Sequence, residues 1–464
     1  MISKALAKKV LNAALSTGAD FAEIFLEEKQ TSAITVEGEK VENINSGLVF
    51  GVGIRLLKDL QSVYGYCSDI SSKSLLSLAE ALSKSFDGKQ TIIVDNIKKV
   101  RVKNLHNIEK NPTKIAKSEK IRIAKLATKT MEEYDPRIVR TSFSIMDNLQ
   151  NVTIFNSEGK EFHDQRTRIR FYMSAIAAEG TTIETGAEGP GAQMGFEFVE
   201  NFDVENAAKE VAKSAITKLS AVECPSGKMP VVIGNGFGGV IFHEACGHSL
   251  EASSVSKNLS VFSNKLGQQI ASTCVTAIDD GTIPNGWGSS NIDDEGNKTH
   301  RTVLIKNGIL QNYLVDNFNG RRMNMNGNGA SRRESYAFEP TSRMSNTFIA
   351  PGPYTPEEII KATKLGLYAK SLGGGSVNPT TGDFNFAAND AYIIRDGEIA
   401  EPVKGATLIG TGADVLMQID MVGNDLKRAQ GVCGASSGNI PVDVGQPTIR
   451  VKEITVGGRG GILK

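Results

Sequence analysis

Two long stretches of alternating apolar and polar residues, 20–66 and 137–198, constrain the fold more than any other feature of the chain. Alternation with a period of two is typical of strands that bury one face of a sheet. A helical pattern follows each stretch, at residues 72–85 and from Val204 onwards. The two units are offset by roughly 120 to 130 residues, which predicts a pseudo-duplicated layer of hairpin, long strand and helix. We therefore expect an α+β fold.

A change in composition near Cys224 divides the chain. Its 464 residues exceed the size at which one hydrophobic core stops growing, so more than one domain is expected. After Cys224 the sequence becomes richer in Gly, Asn and short strand-like segments. We predict an N-terminal α+β domain over residues 1–220 and a strand-rich C-terminal domain over residues 221–464. Within it, residues 373–375 (Gly-Gly-Gly) are expected to form a flexible loop, and residues 391–456 to form strands between turns.

Charge and cysteine content restrict the partners and the compartment. Lys plus Arg and Asp plus Glu number 52 each, so the long-range field that draws proteins to nucleic acid or anionic lipid is absent. No segment contains the ~18 consecutive apolar residues that span a bilayer. The five cysteines are scattered and form no CxxC pair, which argues against a disulfide framework. We expect a cytoplasmic protein with no direct nucleic-acid or membrane partner.

The segment I-F-H-E-A-C-G-H-S-L-E, residues 241–251, places two of the five histidines beside a glutamate. In the familiar zinc-peptidase motif the histidines are four residues apart and share one helix face. His243 and His248 are five residues apart. On an ideal α-helix, at ~100° per residue, they would diverge by about 140° and could not share a metal. If both bind a metal, the backbone must contain a π-type turn or a kink, which Gly247 would accommodate.

Zinc held by two imidazoles needs a further protein ligand and an open position for water. Cys433 lies in the run Q-G-V-C-G-A-S-S-G, whose backbone can approach a metal closely, and its thiolate is a natural zinc ligand. Spacing alone leaves Cys274 or a carboxylate open as the third ligand, whereas Cys246 would point to another helix face. The residues also leave open an interpretation in which both histidines are ordinary hydrogen-bonded side chains.

Two further patterns have simpler interpretations. Residues 234–239 match G-x-G-x-x-G between a strand and a helix, but neither repeated strand-helix alternation nor an acidic strand end follows, so we interpret these glycines as close-packing positions. The acidic runs at 279–281 and 293–296 do not have the spacing of an EF-hand loop, and we interpret them as turns.

Several long motifs follow one another in the second half of the chain. They are F-H-E-A-C-G-H-S-L-E (242–251), G-R-R (320–322), S-R-R-E-S-Y (331–336), P-V-K-G-A-T-L-I-G (402–410), M-V-G-N-D-L (421–426), G-V-C-G (431–434) and V-G-Q-P-T (444–448). In this order they resemble the TldD branch of the TldD/PmbA peptidase family. The resemblance implies a zinc peptidase in which His243, His248 and Cys433 hold one Zn2+ and Glu244 is the catalytic base. It also implies a homodimer, or a heterodimer with a paralogue that lacks the metal motif. Members are also described as modulators of DNA gyrase, a description that the neutral composition does not support as direct DNA binding.

The expected activity is hydrolysis of unfolded or flexible polypeptides, because a strand-rich domain can receive an extended peptide by edge pairing. Arg332, Arg333 and Tyr336 are candidates for holding the substrate or the oxyanion, and a structural salt-bridge cluster would explain them equally. Glu251 is either a hydrogen-bond partner of a zinc-binding histidine or an exposed helix residue. The alternatives are a zinc amidase or deacylase acting on small molecules, and a regulatory protein with a structural metal. Iron or another divalent ion would also accept these ligands.

Overall fold

The computed structural model describes residues 2–378 and 381–463 and has an α+β fold. Numbered in chain order, the strands are β1 (Phe21–Glu37), β2 (Lys40–Lys58), β3 (Gln61–Cys67), β4 (Lys98–Lys99), β5 (Ile138–Asn156), β6 (Lys160–Glu179), β7 (Thr182–Glu188), β8 (Gly191–Ala192), β9 (Val222–Glu223), β10 (Gly227–Ile233), β11 (Ala277–Asp280), β12 (Arg301–Lys306), β13 (Ile309–Leu310), β14 (Ser331–Arg332), β15 (Thr341–Ser342), β16 (Asn346–Ile349), β17 (Leu365–Val377), β18 (Asp383–Arg395), β19 (Glu398–Lys404), β20 (Thr407–Thr411), β21 (Ile419–Val422), β22 (Lys427–Ala435), β23 (Gly438–Gln446) and β24 (Ile449–Gly457). The α-helices are α1 (Lys4–Ala14), α2 (Ser72–Ser83), α3 (Lys117–Glu132), α4 (Glu197–Glu200), α5 (Val204–Leu219), α6 (Val240–Phe242), α7 (Ala252–Val255), α8 (Asn317–Met323), α9 (Pro356–Lys361) and α10 (Gly412–Gln418).

Strands from the first half of the chain form one long sheet in the order β3-β2-β1-β5-β6-β4, with β7 and β8 also paired to β6. Helices cover one face of this sheet. Leu11 of α1 packs there with Ile54 of β2, and Ile123 of α3 packs with Phe143 of β5. The repeat expected from the sequence corresponds to hairpin β1–β2 followed by α2, and hairpin β5–β6 followed by α4 and α5.

The opposite face of the long sheet packs against the second half of the chain and is rich in charge. Arg55 of β2 binds Glu23 of β1 at 3.0 Å and Glu295 of the second half at 2.5 Å, and all three side chains are buried. Arg166 of β6 binds Asp294 at 2.7 Å. Removing charges from water is costly unless they are paired, so these contacts join the two halves of the chain through matched partners.

The acidic run 293–296 belongs to this buried interface. A turn is present there, with Gly296 at φ +85°. The turn agrees with our interpretation, and Asp293, Asp294 and Glu295 are in addition all buried. The ion pairs of Asp294 and Glu295 could not be predicted from spacing, since their arginine partners come from strands more than a hundred residues earlier.

Strands from the second half form two mixed sheets. One has the order β17-β10-β24-β20-β18-β19-β9, with β21 beside β24, and the other has the order β13-β12-β11-β16-β23-β22. Ile233, Phe242, Leu304 and Leu408 belong to one hydrophobic core of this half. The connection from β10 to β11 carries the histidine motif, and hairpin β22–β23 carries Cys433. The division into two domains at residue 220 stays a prediction.

Two expectations for the second half are wrong. The three glycines 373–375 lie inside β17, where the pairing with β18 is irregular between Ala369 and Gly375. A Cβ at Gly375 would lie 2.2 Å from the carbonyl O of Asn385, so close strand packing explains this glycine. The region 391–456 also contains helix α10, which begins where the Thr411 side chain accepts a hydrogen bond from the backbone N–H of Asp414. None of the helices in the described parts of the chain has the length and apolar character needed to cross a membrane.

Candidate metal centre

The histidine motif lies on a short run of helical turns between β10 and β11. A 3-10 turn at Gly236–Gly239 leads through α6 into a π-helical turn at His243–Gly247, which a further 3-10 turn at His248–Leu250 follows. In the π-turn the backbone N–H of His248 donates to the carbonyl of His243. This bond spans five residues and brings the two side chains to the same side of the backbone. The irregularity predicted from the histidine spacing is therefore present.

Glycines around this turn provide space for neighbouring groups. Gly247 has φ −59° and ψ −49°, which are ordinary helical values, so the expectation that it eases a backbone distortion is wrong. A Cβ at Gly247 would lie 2.1 Å from Sδ of Met344, and a Cβ at Gly412 would lie 2.2 Å from the carbonyl O of Ala245. The π-turn is thus held between two close neighbours.

The G-x-G-x-x-G segment has a similar role. A Cβ at Gly234 would lie 2.2 Å from the carbonyl O of Lys370, and a Cβ at Gly239 would lie 2.4 Å from that of Gly445. The backbone before the motif therefore packs directly on β17 and β23, in agreement with our interpretation of these glycines as close-packing positions.

Two imidazoles and one thiol converge at this turn. The Sγ atom of Cys433 lies 3.3 Å from Nε2 of His243 and 3.2 Å from Nε2 of His248, and the three ligand atoms all lie within 4.8 Å of one another. His243 and Cys433 are buried, with exposed fractions of 1% and 6%. The motif and the distant cysteine are thus neighbours in space.

The other candidate cysteines lie elsewhere. Cys246 points into the hydrophobic core beside the π-turn. Cys274 is exposed, and its thiol lies 3.4 Å from the carbonyl O of Ile419. Neither belongs to the cluster of potential metal ligands, so the structure favours Cys433 among the cysteines that the spacing left open.

A second layer of buried side chains supports the cluster. Nδ1 of His248 lies 3.1 Å from Oε2 of Glu251, which is buried, so Glu251 is a hydrogen-bond partner of the histidine rather than an exposed helix residue. The fully buried Arg343 donates from Nη2 to the carbonyl O of Cys433 at 2.6 Å, and its Nε lies 3.9 Å from Glu251 Oε1. Carboxylate–histidine pairs of this kind fix the orientation of a metal-binding ring.

Arg343 is not among the site residues predicted from the motifs. Its only signal is a single charged residue within the otherwise uncharged run T-S-R-M-S-N-T-F-I-A, which is the pattern of a buried arginine with specific partners. The spacing of Arg343 from the histidine motif carries no information, because the contact forms only in the folded chain.

Glu244 occupies the accessible side of the cluster. Its Oε2 lies 3.6 Å from Nε2 of His248, and its side chain is 29% exposed. Burial raises the pKa of Glu244 above its ordinary value, although the nearby His248 and Arg343 act in the opposite direction. A carboxyl group with a raised pKa that lies beside the cluster and is partly exposed to solvent is a suitable proton acceptor and donor.

The three donors fit a metal ion. Tetrahedral zinc with bonds of ~2.0 Å to nitrogen and ~2.3 Å to sulfur separates its ligand atoms by roughly 3.3 to 3.7 Å. The measured nitrogen–sulfur separations of 3.3 and 3.2 Å are close to this range. Burial lowers the pKa of His243 well below its ordinary value, with His248 and Arg343 acting in the same direction, which favours the neutral ring that a metal ligand needs. Although burial acts the other way, Glu251 and Cys433 raise the pKa of His248 well above its ordinary value, so a metal bound there would displace a proton.

The three candidate substrate-binding residues are bound to other parts of the protein. Arg332 donates to the carbonyl O of Met344 at 2.6 Å and of Pro441 at 2.7 Å. Arg333 pairs with Glu23, and the backbone N–H of Tyr336 donates to Glu27 at 2.8 Å. A substrate-binding role for these residues stays a prediction.

Family models for PmbA/TldA metallopeptidases match three successive segments of the chain. The model of domain 1 matches residues 22–85, that of the central domain matches residues 110–219, and that of the C-terminal domain matches residues 226–458. The third match contains the histidine motif and Cys433.

Named relatives cover nearly the whole chain. A Metalloprotease TldD homolog of Haemophilus influenzae is 37% identical over 449 residues, covering 95% of this chain and 93% of the relative. A Metalloprotease TldD homolog of Buchnera aphidicola is 35% identical over 456 residues with the same coverage. A metalloprotease of Methanocaldococcus jannaschii is 35% identical over 440 residues, covering 93% of this chain and 96% of the relative.

Solved structures share the fold. A Thermotoga maritima protein described as a candidate modulator of a DNA gyrase superposes with a TM-score of 0.81 at 22% identity, covering 98% of this chain and 99% of that protein. TldE from Thermococcus kodakarensis superposes with a TM-score of 0.77 at 18% identity, covering 98% of this chain and 100% of that protein. At these identities the likeness concerns the fold alone.

Proposed function

The chain belongs to the PmbA/TldA metallopeptidase family, and we propose on that basis that it hydrolyses peptide bonds with Glu244 as general base beside one Zn2+ held by His243, His248 and Cys433. One observation supports this most directly: the π-turn brings both imidazoles to the thiol of Cys433, while Glu244 remains accessible at 3.6 Å from His248. The metallopeptidase class expected from the sequence motifs agrees with the names of the relatives.

The proposed mechanism divides the work between the metal and the protein. When bound, zinc would lower the pKa of a water molecule towards neutrality and polarise the scissile carbonyl group. Glu244 accepts the proton of the attacking water and later donates it to the leaving amine. Glu251 holds the ring of His248 through Nδ1, and Arg343 holds the backbone of Cys433, so the donors are oriented before substrate binds.

The proposed substrates are unfolded or flexible polypeptides. Because His243 and Cys433 are almost fully buried, the surface of a folded protein could not bring a peptide bond to them, whereas an extended segment could. Strand β22, which carries Cys433, is at the edge of its sheet, but its carbonyl groups at Gly431 and Cys433 already accept hydrogen bonds from Trp287 and Arg343. Edge pairing of the substrate therefore stays a prediction without an assigned strand.

Comparison of wild type with Glu244→Gln tests the mechanism. We expect the variant to bind zinc normally and to lose cleavage of an unfolded casein-like substrate, because only the proton acceptor is removed. Glu453→Gln, which changes an exposed glutamate, is the matched control and should cleave normally. Normal hydrolysis by Glu244→Gln would contradict the role of Glu244.

Metal analysis tests the ligands and separates the alternatives. Cys433→Ala should lose zinc, and a full complement of zinc in that variant would mean that the third ligand is another residue. A wild-type protein that cleaves small amides but no peptide would favour an amidase or deacylase. Zinc without any chelator-sensitive hydrolysis would favour a regulatory protein with a structural metal.

We also propose a dimer, either of two copies of this chain or with a paralogue that lacks the metal motif, and a cytoplasmic location. The location rests on the five free cysteines, since disulfides are rare in that compartment. Mass measurement of the purified chain, alone and after co-expression with such a paralogue, distinguishes the two assemblies. A monomer in both preparations would contradict the proposal.

A further inference from the structure

A small cavity of about 120 Å³ lies between the charged face of the long sheet and hairpin β22–β23. Lys29 of β1 and Arg168 of β6 line it from the sheet, and Arg332, Val432 and Pro441 line it from the second half of the chain. None of the three metal-cluster residues lines this cavity, although Val432 precedes Cys433 directly. We call it the interface cavity.

Three cations of the interface cavity lack a carboxylate partner. The half-buried side chain of Lys29 makes no hydrogen bond or ion pair with any residue in the described ranges 2–378 and 381–463, although its backbone pairs within the sheet. Arg168 donates to the carbonyl O atoms of Trp287 and Ser289, each at 2.9 Å. Among the described residues, the Arg332 side chain likewise donates only to carbonyl groups. Carbonyl groups satisfy the hydrogen-bonding capacity of an arginine, but they do not balance its charge.

The acidic residues around the interface cavity already have other partners. Asp294 pairs with Arg166 at 2.7 Å and accepts from the backbone N–H of Arg333. Glu334 accepts from the backbone N–H of Asn439 at 2.7 Å. Asp293 accepts from the backbone N–H groups of residues 295 and 297, and burial raises its pKa well above the ordinary value, which reduces its negative charge.

The lining of the interface cavity therefore carries more positive than negative charge, and water has little access to it. Burial lowers the pKa of Arg168 to about 9, with Arg166 and Arg332 acting in the same direction. Burial also lowers the pKa of Lys29, although Glu27 and Glu334 act in the opposite direction, and burial lowers the pKa of Arg332 to about 10. Buried cations without counter-charges destabilise a fold, and charge-assisted hydrogen bonds to an anion would remove that penalty.

We propose that the interface cavity is a binding site for a compact oxyanion, held by Lys29, Arg168 and Arg332. The shared chemistry is that of carboxylate and phosphate oxygens, and the cavity volume limits the ligand to a small group. This site does not depend on the proposed peptidase mechanism. The proposed site lies where three parts of the fold meet. Lys29 and Arg168 belong to the long sheet, and Arg332 belongs to β14. Arg332 in turn binds the carbonyl group of Pro441 on the hairpin that carries Cys433.

Titration of the intact protein tests the proposal. Inorganic phosphate and sodium acetate are added separately, with sodium chloride at the same ionic strength as the reference, and binding is followed by calorimetry and by the thermal unfolding midpoint. We expect saturable binding of one anion per chain and a rise in the midpoint that chloride does not produce. Tighter binding of phosphate would identify a phosphate-type ligand, and tighter binding of acetate would identify a carboxylate. If neither phosphate nor acetate binds more tightly or raises the midpoint more than chloride does, the proposal is wrong.

The variant Lys29→Gln tests whether the anion binds in the interface cavity. Because Lys29 has no partner in the described ranges, this variant should fold, with an unchanged or higher midpoint in chloride, and its anion affinity should fall about tenfold with the loss of one charged contact. Lys452→Gln, on strand β24, changes an exposed strand lysine as the matched control and should bind as wild type does. Anion binding at the zinc ion would persist in Lys29→Gln, so unchanged affinity in that variant would refute the interface cavity as the site.

Discussion

Substitution Gly247→Ala tests whether the glycine of the motif provides space or backbone freedom. Its helical φ and ψ values suit alanine, so the backbone alone would gain about 1 kcal/mol from the change. The new methyl carbon would lie 2.1 Å from Sδ and 3.0 Å from Cε of Met344, a side chain that is 1% exposed and packed in the core. Overpacking of this kind destabilises a core by about 1–3 kcal/mol. We expect a net loss of about 1 kcal/mol.

Thermal unfolding and zinc content measure the result. If the 464-residue chain unfolds as one unit, a loss of about 1 kcal/mol lowers the unfolding midpoint by only about 1 °C. Zinc retention after dialysis should fall too, because the displaced turn carries both histidines. The control is Met344→Ala, which removes the clashing side chain and by itself destabilises through a cavity.

The double variant Gly247→Ala/Met344→Ala separates the two explanations. If space is the reason for the glycine, the added methyl group occupies part of the cavity left by Met344, and the double variant is more stable than the sum of the single effects predicts by about 1 kcal/mol. Additive effects, or a Gly247→Ala protein as stable as wild type with its full zinc, would refute the reasoning.

Three further predictions follow from the same geometry. Gly412→Ala should destabilise the π-turn without rescue by Met344→Ala, because its Cβ would lie 2.2 Å from the backbone O of Ala245, and the unfolding midpoint of the double variant checks this. Glu251→Gln should weaken zinc affinity by about 10- to 100-fold by removing the carboxylate behind His248, as competition with a fluorescent chelator would measure; unchanged affinity would contradict the assigned role. Burial raises the pKa of Glu27 above its ordinary value, so its contribution to stability is present at low pH and is lost as the pH rises through the raised value. Glu27→Gln should therefore flatten the fall in stability above pH ~4.3, and denaturant unfolding at several pH values would show a persisting slope if this is wrong.

Local patterns predicted most of the secondary structure. The alternating stretches became the hairpins β1–β2 and β5–β6, and a local capping box at Thr355 begins α9. The α+β class and the family membership expected from the motifs are confirmed. These features depend on residues within one element or one turn, which is why periodicity and capping chemistry reveal them.

Features that depend on distant residues were missed or misinterpreted. The five-residue histidine spacing required a π-turn, but the reason for Gly247 is the side chain of Met344, which spacing cannot reveal. The buried ion pairs of the acidic run 293–296 were missed because its partners, such as Arg55, come from the opposite half of the chain. Arg343 was missed for the same reason, since its contacts with Cys433 and Glu251 form only in the folded chain.

The segment between β14 and β16 explains how ligands so far apart in sequence reach one place. Met344 packs against Gly247 beneath the π-turn, and the neighbouring Arg343 binds the carbonyl groups of Cys433 and Gly438 across the hairpin. Arg332 ties the same segment to the hairpin a second time. Two adjacent residues therefore set the position of the histidines and of the cysteine relative to one another. Because both are buried, movement of this segment would change the distance between the donors, and the geometry of the metal centre is a property of this packing as much as of the ligands themselves.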